Sequence, residues 1–334
     1  MSGSANTRKR APIMVTIVTP TRGDVATGNR MTALAWADRL TELGHEVDVT
    51  PSYRGQPADM LVALHGVHSH DAIAAFKRAF PDRPAVLILT GTDVYPRVHE
   101  RTLASMRRSD RSVALQPGIC DRIPAELRDR VRVIVQSSSA PARPARERSR
   151  DSFDVCVVGH LRAIKDPLRA AEAARLLPDT SRIRIRHAGA ILEPEYREYV
   201  EREQKENPRY MWLGELAPPL ALELIVDCQL QVLSSHTEGG GRVIGESAVA
   251  GTPLLAPRND ASRTLLGEDY AGLFTAGDTR ELADLMSRAE TDAAFLESLR
   301  ARVVERAARF DPKLEREAVR DLVDELAARR SLST

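Results

Sequence analysis

Aromatic residues are scarce: six phenylalanines, six tyrosines and two tryptophans make up 4% of 334 residues. That is too few for a base-stacking platform that would grip single-stranded nucleic acid. Cysteine is nearly absent. Cys120, Cys156 and Cys228 stand far apart and form no CxxC, which excludes a disulfide scaffold and a clustered zinc site. They fit buried free thiols in a reducing cytoplasm. No run of about 18 apolar residues occurs, so no helical membrane span is expected. Neither sign of charge dominates: Lys+Arg 48 against Asp+Glu 47 leaves +1, and no global field draws the chain to nucleic acid or membrane. Lysine itself is rare, with 5 among the 48 basic residues. The opening MSGSANTRKR lacks the apolar core of a signal peptide and reads as a polar leader.

What remains is an ordinary globular composition, 43% hydrophobic and 28% charged. The length exceeds what one core covers, so two domains are expected. Strand patterns fall at Ile13–Thr19, Val47–Thr50, Met60–His65, Ala85–Thr90, Val113–Gln116 and Val131–Val135. Helical patterns at Asn29–Leu43, Ala72–Phe80 and around Val98–Arg108 alternate with them. SSSAPARPARERSR then breaks every periodicity and places a linker at 138–151. Alternation restarts with strands at Val155–Gly159, Ile183–Ala188, Tyr210–Leu213, Gln229–Leu233 and Pro253–Ala256. Helices are expected at Pro167–Leu177, Glu195–Glu206, Leu220–Val226 and Arg242–Ala250, then as charged segments at Thr279–Arg309 and Pro312–Arg329. The reading is α/β: Rossmann-like parallel-sheet domains at 11–137 and 152–310, with 311–330 returning to the first. Open parallel sheets bind ligands beyond the carboxyl ends of their strands, so the loops there face a central cleft.

The most informative loop is SSHTEGGGRVIGESAVAGTP, Ser234–Pro253. Gly239, Gly240 and Gly241 precede a helix starting near Arg242, where free N–H groups and small side chains favour a phosphate or diphosphate. Glu238 at the mouth and Glu246 one to two turns in cannot serve that phosphate. They suit sugar hydroxyls on either side of it. The first loop, PTRGDVATGNR, carries Gly23 and Gly28 and ends in Asn29 and Arg30 at a helix start, an anion site for an acceptor. It is not GxGxxG, so a nicotinamide site is not indicated. TGTDVY, Thr90–Tyr95, projects Thr90, Gly91 and Thr92 into the same cleft, with Asp93 as a base or a helix cap. His65, at another strand end, is the remaining candidate base, while His68 and His70 read as surface residues.

Glu-x7-Glu followed by an apolar helix and Ala-Gly-Thr-Pro-Leu-Leu-Ala resembles the donor site of GT-B glycosyltransferases of the family 4 type. The resemblance implies that Glu246 binds the nucleotide ribose, Glu238 the donor sugar, and the glycine backbone the diphosphate. His236, Thr237, Arg242 and Val243 belong to the same donor segment. VVGHLRAIKDP, Val157–Pro167, resembles the family's Gly-Arg-Leu-x3-Lys-Gly loop and puts Lys165 on the diphosphate. His160 stands where the family has arginine. Arg162, a permanent forked cation, is expected to supply the second positive charge. The catalytic set is then Lys165, Arg162, Glu238 and Asp93.

Further motifs, Gly-Asn-Arg, Ala-Leu-His, Leu-Thr-Gly-Thr-Asp-Val-Tyr and Ser-Ser-His-Thr-Glu-Gly-Gly, are similar to the selenosugar synthase branch of selenoneine biosynthesis. That branch joins selenophosphate to the anomeric carbon of UDP-N-acetylglucosamine or UDP-glucose. Selenophosphate arrives anionic and nucleophilic, so it needs an anion pocket more than a base. No Asp-x-Asp motif calls for a metal, and no cofactor or partner beyond these small molecules is implied. Rival readings are a GT-B enzyme acting on a hydroxyl of a metabolite or lipid carrier, a UDP-sugar epimerase, and a non-catalytic nucleotide-sugar module.

Overall fold

The computed structural model describes residues 11–20, 27–146 and 151–332. The polar leader, Gly23 of the first loop and positions 147–150 of the expected linker lie outside the described residues. Among the described residues, twelve strands form two parallel sheets of six. The first holds β1 (Met14–Val18), β2 (Glu46–Thr50), β3 (Met60–Leu64), β4 (Ala85–Leu89), β5 (Arg111–Ala114) and β6 (Val131–Val133), ordered β2-β1-β3-β4-β5-β6. The second holds β7 (Phe153–Val158), β8 (Ile183–Ala188), β9 (Tyr210–Trp212), β10 (Leu230–Val232), β11 (Leu254–Pro257) and β12 (Leu273–Phe274), ordered β12-β11-β10-β7-β8-β9.

Every residue of β3 and β4 is buried, because helices cover both faces of the first sheet. The two-residue period sorts their side chains. Met60, Val62 and Leu64 join Trp36 and Leu40 of the helix Gly28–Glu42, while Leu61 and Ala63 join Ile73 and Phe76 on the other face. Truncating Phe76 to alanine in such a site costs about 3–5 kcal/mol. In the second sheet, Val155 and Val157 of β7 join one large core, while Cys156 between them joins a small cluster with Ala188, Leu224, Ile225 and Cys228. All three cysteines are free, and Cys156 and Cys228 are buried. No helix among the described residues is long and apolar enough to cross a membrane.

Three features depart from the sequence reading. The helix Asp260–Leu266 and the two-residue strand β12 are additional, too short to leave a periodic signal. The helix expected over Thr279–Arg309 is two, Thr279–Thr291 and Ala293–Arg306, ending in a 3₁₀ turn at Ala307–Phe310. Asp292 makes the break: its backbone N–H closes the first helix on Arg288, and its side chain accepts the N–H of Phe295 at 2.9 Å to start the second. The stretch 119–128 holds two single helical turns, Ile119–Arg122 and Ala125–Arg128.

The chain then crosses back. In the final helix, Pro312–Leu332, Val319, Leu322, Val323 and Leu326 recur at i, i+3, i+4 and i+7 and enter the first sheet's core beside Ala33, Trp36 and Leu40. Buried Glu315 fastens the crossing by accepting the Ser137 N–H at 3.3 Å and facing Arg39 Nε at 3.5 Å. In the described part of the expected linker, Arg143 is held to Glu223 and Asp227 of the helix Pro218–Asp227, at 3.0 and 2.8 Å. Strand order reverses between β1 and β3 and between β7 and β10. Loops diverge at such points and leave a crevice beyond the strand ends.

Candidate functional site

At those two reversal points the halves face each other across a cavity of about 400 Å³. From the first half it is lined by Thr27, Gly28, Asn29, Met31 and Thr32, by His65 and His68, by Thr90, Gly91 and Thr92, and by Leu115 and Gln136. From the second half come Gly159, His160, Arg162, Ile164 and Lys165 after β7, Ala188 and Gly189 at the end of β8, and Glu215 and Leu216 after β9. The segment Thr237–Val243 and Glu246 complete the wall after β10.

The glycine run sits at the start of the helix Arg242–Ala250, with Gly241 as its N-cap at φ +60. A β-carbon there would strain the backbone. Gly239 has a second reason to be small: a β-carbon on it would collide with the Thr90 carbonyl of the opposite half. The run therefore serves close approach of the halves as well as access to backbone N–H groups. Lys165 Nζ donates to Glu238 Oε1 at 2.6 Å, so these two residues meet directly across the mouth. Arg242 Nε donates to Glu246 Oε1 at 3.0 Å. Burial pushes the Glu246 carboxyl above the ordinary carboxylate range, with Arg242 pulling it back. Arg162 extends into the cavity with its Nε buried and without a partner among the described residues. His160, at the position of the family arginine, accepts the Ala190 N–H on Nδ1 at 3.1 Å.

The loop that carries Arg162 and Lys165 is braced from β8. His187 is fully buried, one ring nitrogen 2.9 Å from the Tyr210 hydroxyl and the other 2.9 Å from the Gly159 carbonyl. Because Gly159 O can only accept, His187 Nε2 carries the hydrogen. Burial pushes this histidine down to about 4. Ser234 Oγ donates to the Lys165 carbonyl at 2.9 Å, and His236 N–H to the Ile164 carbonyl at 3.0 Å, tying the loops after β7 and β10 together.

Three expected site residues take other places. Arg30 does not line the cavity. Gly28, Asn29, Met31 and Thr32 occupy one side of their helix, and a step of about 100° per residue turns position 30 to the opposite side. Asp93 is neither base nor helix cap. It is fully buried and accepts the N–H groups of Gly66, Thr90 and Gly91 at 2.8, 3.0 and 2.9 Å, clasping the loops after β3 and β4. The His236 side chain is exposed outside the cavity, near Gly277, and only its backbone ties the loop. Of the two histidines expected at the surface, His68 is exposed and yet lines the cavity, while half-buried His70 lies 3.0 Å from Ser105 Oγ.

Other cavity residues were not singled out from sequence. Gln136 is buried, donates to Thr32 Oγ1 at 2.7 Å, and through it steadies the helix start at the Gly28 carbonyl. Ala188, Gly189, Glu215 and Leu216 lie at strand ends, the one signal that pointed to them.

The family model described as Glycosyl transferases group 1 matches residues 140–310, just over half of the chain. No curated protein sequence matches it. Among solved structures, the chain is similar to sucrose-phosphate synthase from Thermosynechococcus elongatus, with TM-score 0.75, 16% identity, and 94% of this chain and 99% of that one covered. It is similar to Anabaena Alr3699/HepE in complex with UDP and glucose, with TM-score 0.73, 17% identity, and 94% and 100% covered. It is also similar to α,α-trehalose 6-phosphate synthase from Burkholderia multivorans, with TM-score 0.74, 12% identity, and 97% and 98% covered. At such identities the likeness establishes architecture alone, the GT-B arrangement of two Rossmann-like domains about a cleft.

Proposed function

The chain belongs to the group 1 glycosyl transferases, and from that premise we propose that it joins selenophosphate to the anomeric carbon of a UDP-sugar and releases UDP. The donor is UDP-N-acetylglucosamine or UDP-glucose, and the product a selenosugar formed in the reducing cytoplasm. One observation carries the acceptor assignment. Among the described residues, the first half offers the cavity no carboxylate and no permanent cation, only hydroxyls, Asn29, Gln136 and two histidines. Buried Asp93 is held by three backbone N–H groups. Among the described residues, an acceptor that must shed a proton finds no free carboxylate on this wall, whereas selenophosphate brings its own negative charge.

The donor rests on the other wall. Glu246 accepts from ribose hydroxyls and Glu238 from the hexose. Arg162 and Lys165, with the N–H groups at the Arg242–Ala250 helix start, meet the diphosphate. The carbon–selenium bond forms as the anomeric C–O bond breaks, and the electron pair leaves with UDP. Charge on the diphosphate grows in that step, so Lys165 contributes most in the transition state. For this, Lys165 must exchange Glu238 for the phosphate, which frees Glu238 to take the sugar.

UDP release is to be followed with each UDP-sugar and selenophosphate, thiophosphate, small alcohols or no acceptor. Release that requires selenophosphate, more slowly matched by thiophosphate, is the expected result. Release with alcohols but not with either chalcogenophosphate would move the protein to the hydroxyl-transferring branch. Nucleotide binding without release would leave a binding module.

A further inference from the structure

We infer that the Thr92 hydroxyl is fixed as a hydrogen-bond donor into the cavity, with His65 as the positioning residue that fixes it, so that this wall selects an acceptor bearing anionic oxygens. The inference rests on the anionic-acceptor reading above and gives it an address. His65 holds a left-handed backbone at φ 70, uncommon outside glycine, and is almost fully buried at the end of β3. The His68 N–H points at its Nδ1 at 3.4 Å, and its Nε2 lies 3.0 Å from Thr92 Oγ1. A nitrogen that accepts carries no hydrogen, so in the neutral ring the hydrogen sits on Nε2 and is given to Thr92. With its oxygen already accepting, exposed Thr92 has its own hydrogen to donate, and the cavity lies in front of it.

The neutral ring is supported by its surroundings. Burial lowers His65 below the ordinary histidine range, His68 and His99 add to the fall, and the Asp93 charge opposes it. Asp93 also binds the loops after β3 and β4 into one unit, so the His65–Thr92 pair does not depend on a free loop. A second hydroxyl stands close in sequence: Thr90 Oγ1 is buried, lines the same wall, and has no hydrogen-bond partner among the described residues. An oxygen of a tetrahedral anion in the cavity would accept from exposed Thr92.

The test uses Thr92→Val, Thr92→Ser and His65→Asn, the last because asparagine tolerates the left-handed backbone. Inorganic phosphate is titrated into the UDP-saturated protein, and acceptor KM is measured with selenophosphate. Thr92→Val should weaken phosphate binding and raise acceptor KM by about 10- to 100-fold, the range for one hydrogen bond to a charged group. UDP affinity should stay within about twofold, and Thr92→Ser should restore wild-type values. His65→Asn should raise acceptor KM while leaving UDP affinity in place. Unchanged phosphate affinity and acceptor KM in Thr92→Val would overturn the inference, as would equal loss of UDP. If wild type binds phosphate through Thr92 yet releases no UDP with selenophosphate, the substrate reading fails while this inference stands.

Discussion

Beyond β7 and β10 the cavity meets Arg162, Lys165, Glu238, Arg242 and Glu246. Beyond β1, β3 and β4 it meets, among the described residues, two histidines and otherwise uncharged side chains. In the proposed reaction, charge would be concentrated where charge changes. A departing nucleoside diphosphate needs cations that strengthen their hold as the bond breaks. An acceptor that is already anionic needs only oriented dipoles, and strong cations there would bind it without helping it react. Position is secured differently as well. The charged wall is braced by a buried histidine and side chain–backbone bonds, and the uncharged wall by one carboxylate that clasps two loops.

The largest effect is expected on the charged wall. Lys165→Ala should lower kcat by about 100-fold or more, in the range of a lost transition-state donor, with a smaller change in donor KM. A change confined to KM would show uniform binding and put Lys165 outside the chemistry. Its bracing is tested by acid. His187 titrates near 4 in the fold against about 6.5 unfolded, so between those values only the unfolded chain takes the proton. Stability should therefore fall as pH drops from about 6.5 through about 4, by about 3 kcal/mol from this group. Urea unfolding across that range, compared with His187→Asn, checks it: the variant should lose this part of the slope, and equal slopes would remove His187 as the cause.

Glu246→Ala should weaken UDP by about 1.5–3 kcal/mol in calorimetry, the worth of hydrogen bonds to a charged group. An unchanged affinity would take the ribose away from Glu246. The contact between the walls is worth less. Arg122 holds Asp260 in a two-pronged pair, Nε to Oδ2 at 2.7 Å and the second nitrogen to Oδ1 at 3.1 Å, but Arg122 is largely exposed. Arg122→Ala should cost about 0.2–1 kcal/mol in unfolding. Smallest of all, Arg30→Ala should leave both substrates' KM within about twofold, because its side of the helix faces away from the cavity. A strong rise in acceptor KM would return that arginine to the site.

The architecture was largely legible because periodicity and punctuation agreed. Ile183–Ala188 and Arg242–Ala250 were read to the residue, one by its strand run and the other by the glycines around it. Asp260–Leu266 and β12 were too short to show a period. The break at Asp292 was written as an N-cap signal inside a longer helical pattern, which masked it. For the site, strand-end position identified which loops face the cavity but not where each side chain turns. Arg30 fell on the far side of its helix, Asp93 turned back into backbone N–H groups, and His236 left only its backbone in the loop. The Gln136–Thr32 and Lys165–Glu238 bonds each join loops far apart in sequence within one half, which no local pattern records.

A crystal structure with UDP and inorganic phosphate bound together tests the division between the walls most directly. The account predicts the diphosphate at Lys165, Arg162 and the Gly239–Gly241 backbone, the ribose on Glu246, and Lys165 released from Glu238. It places the phosphate separately, within hydrogen-bonding distance of Thr92 on the opposite wall. UDP lying on the His65–Thr92 wall, or phosphate binding only beside Lys165 with Thr92 left unpaired, would contradict it.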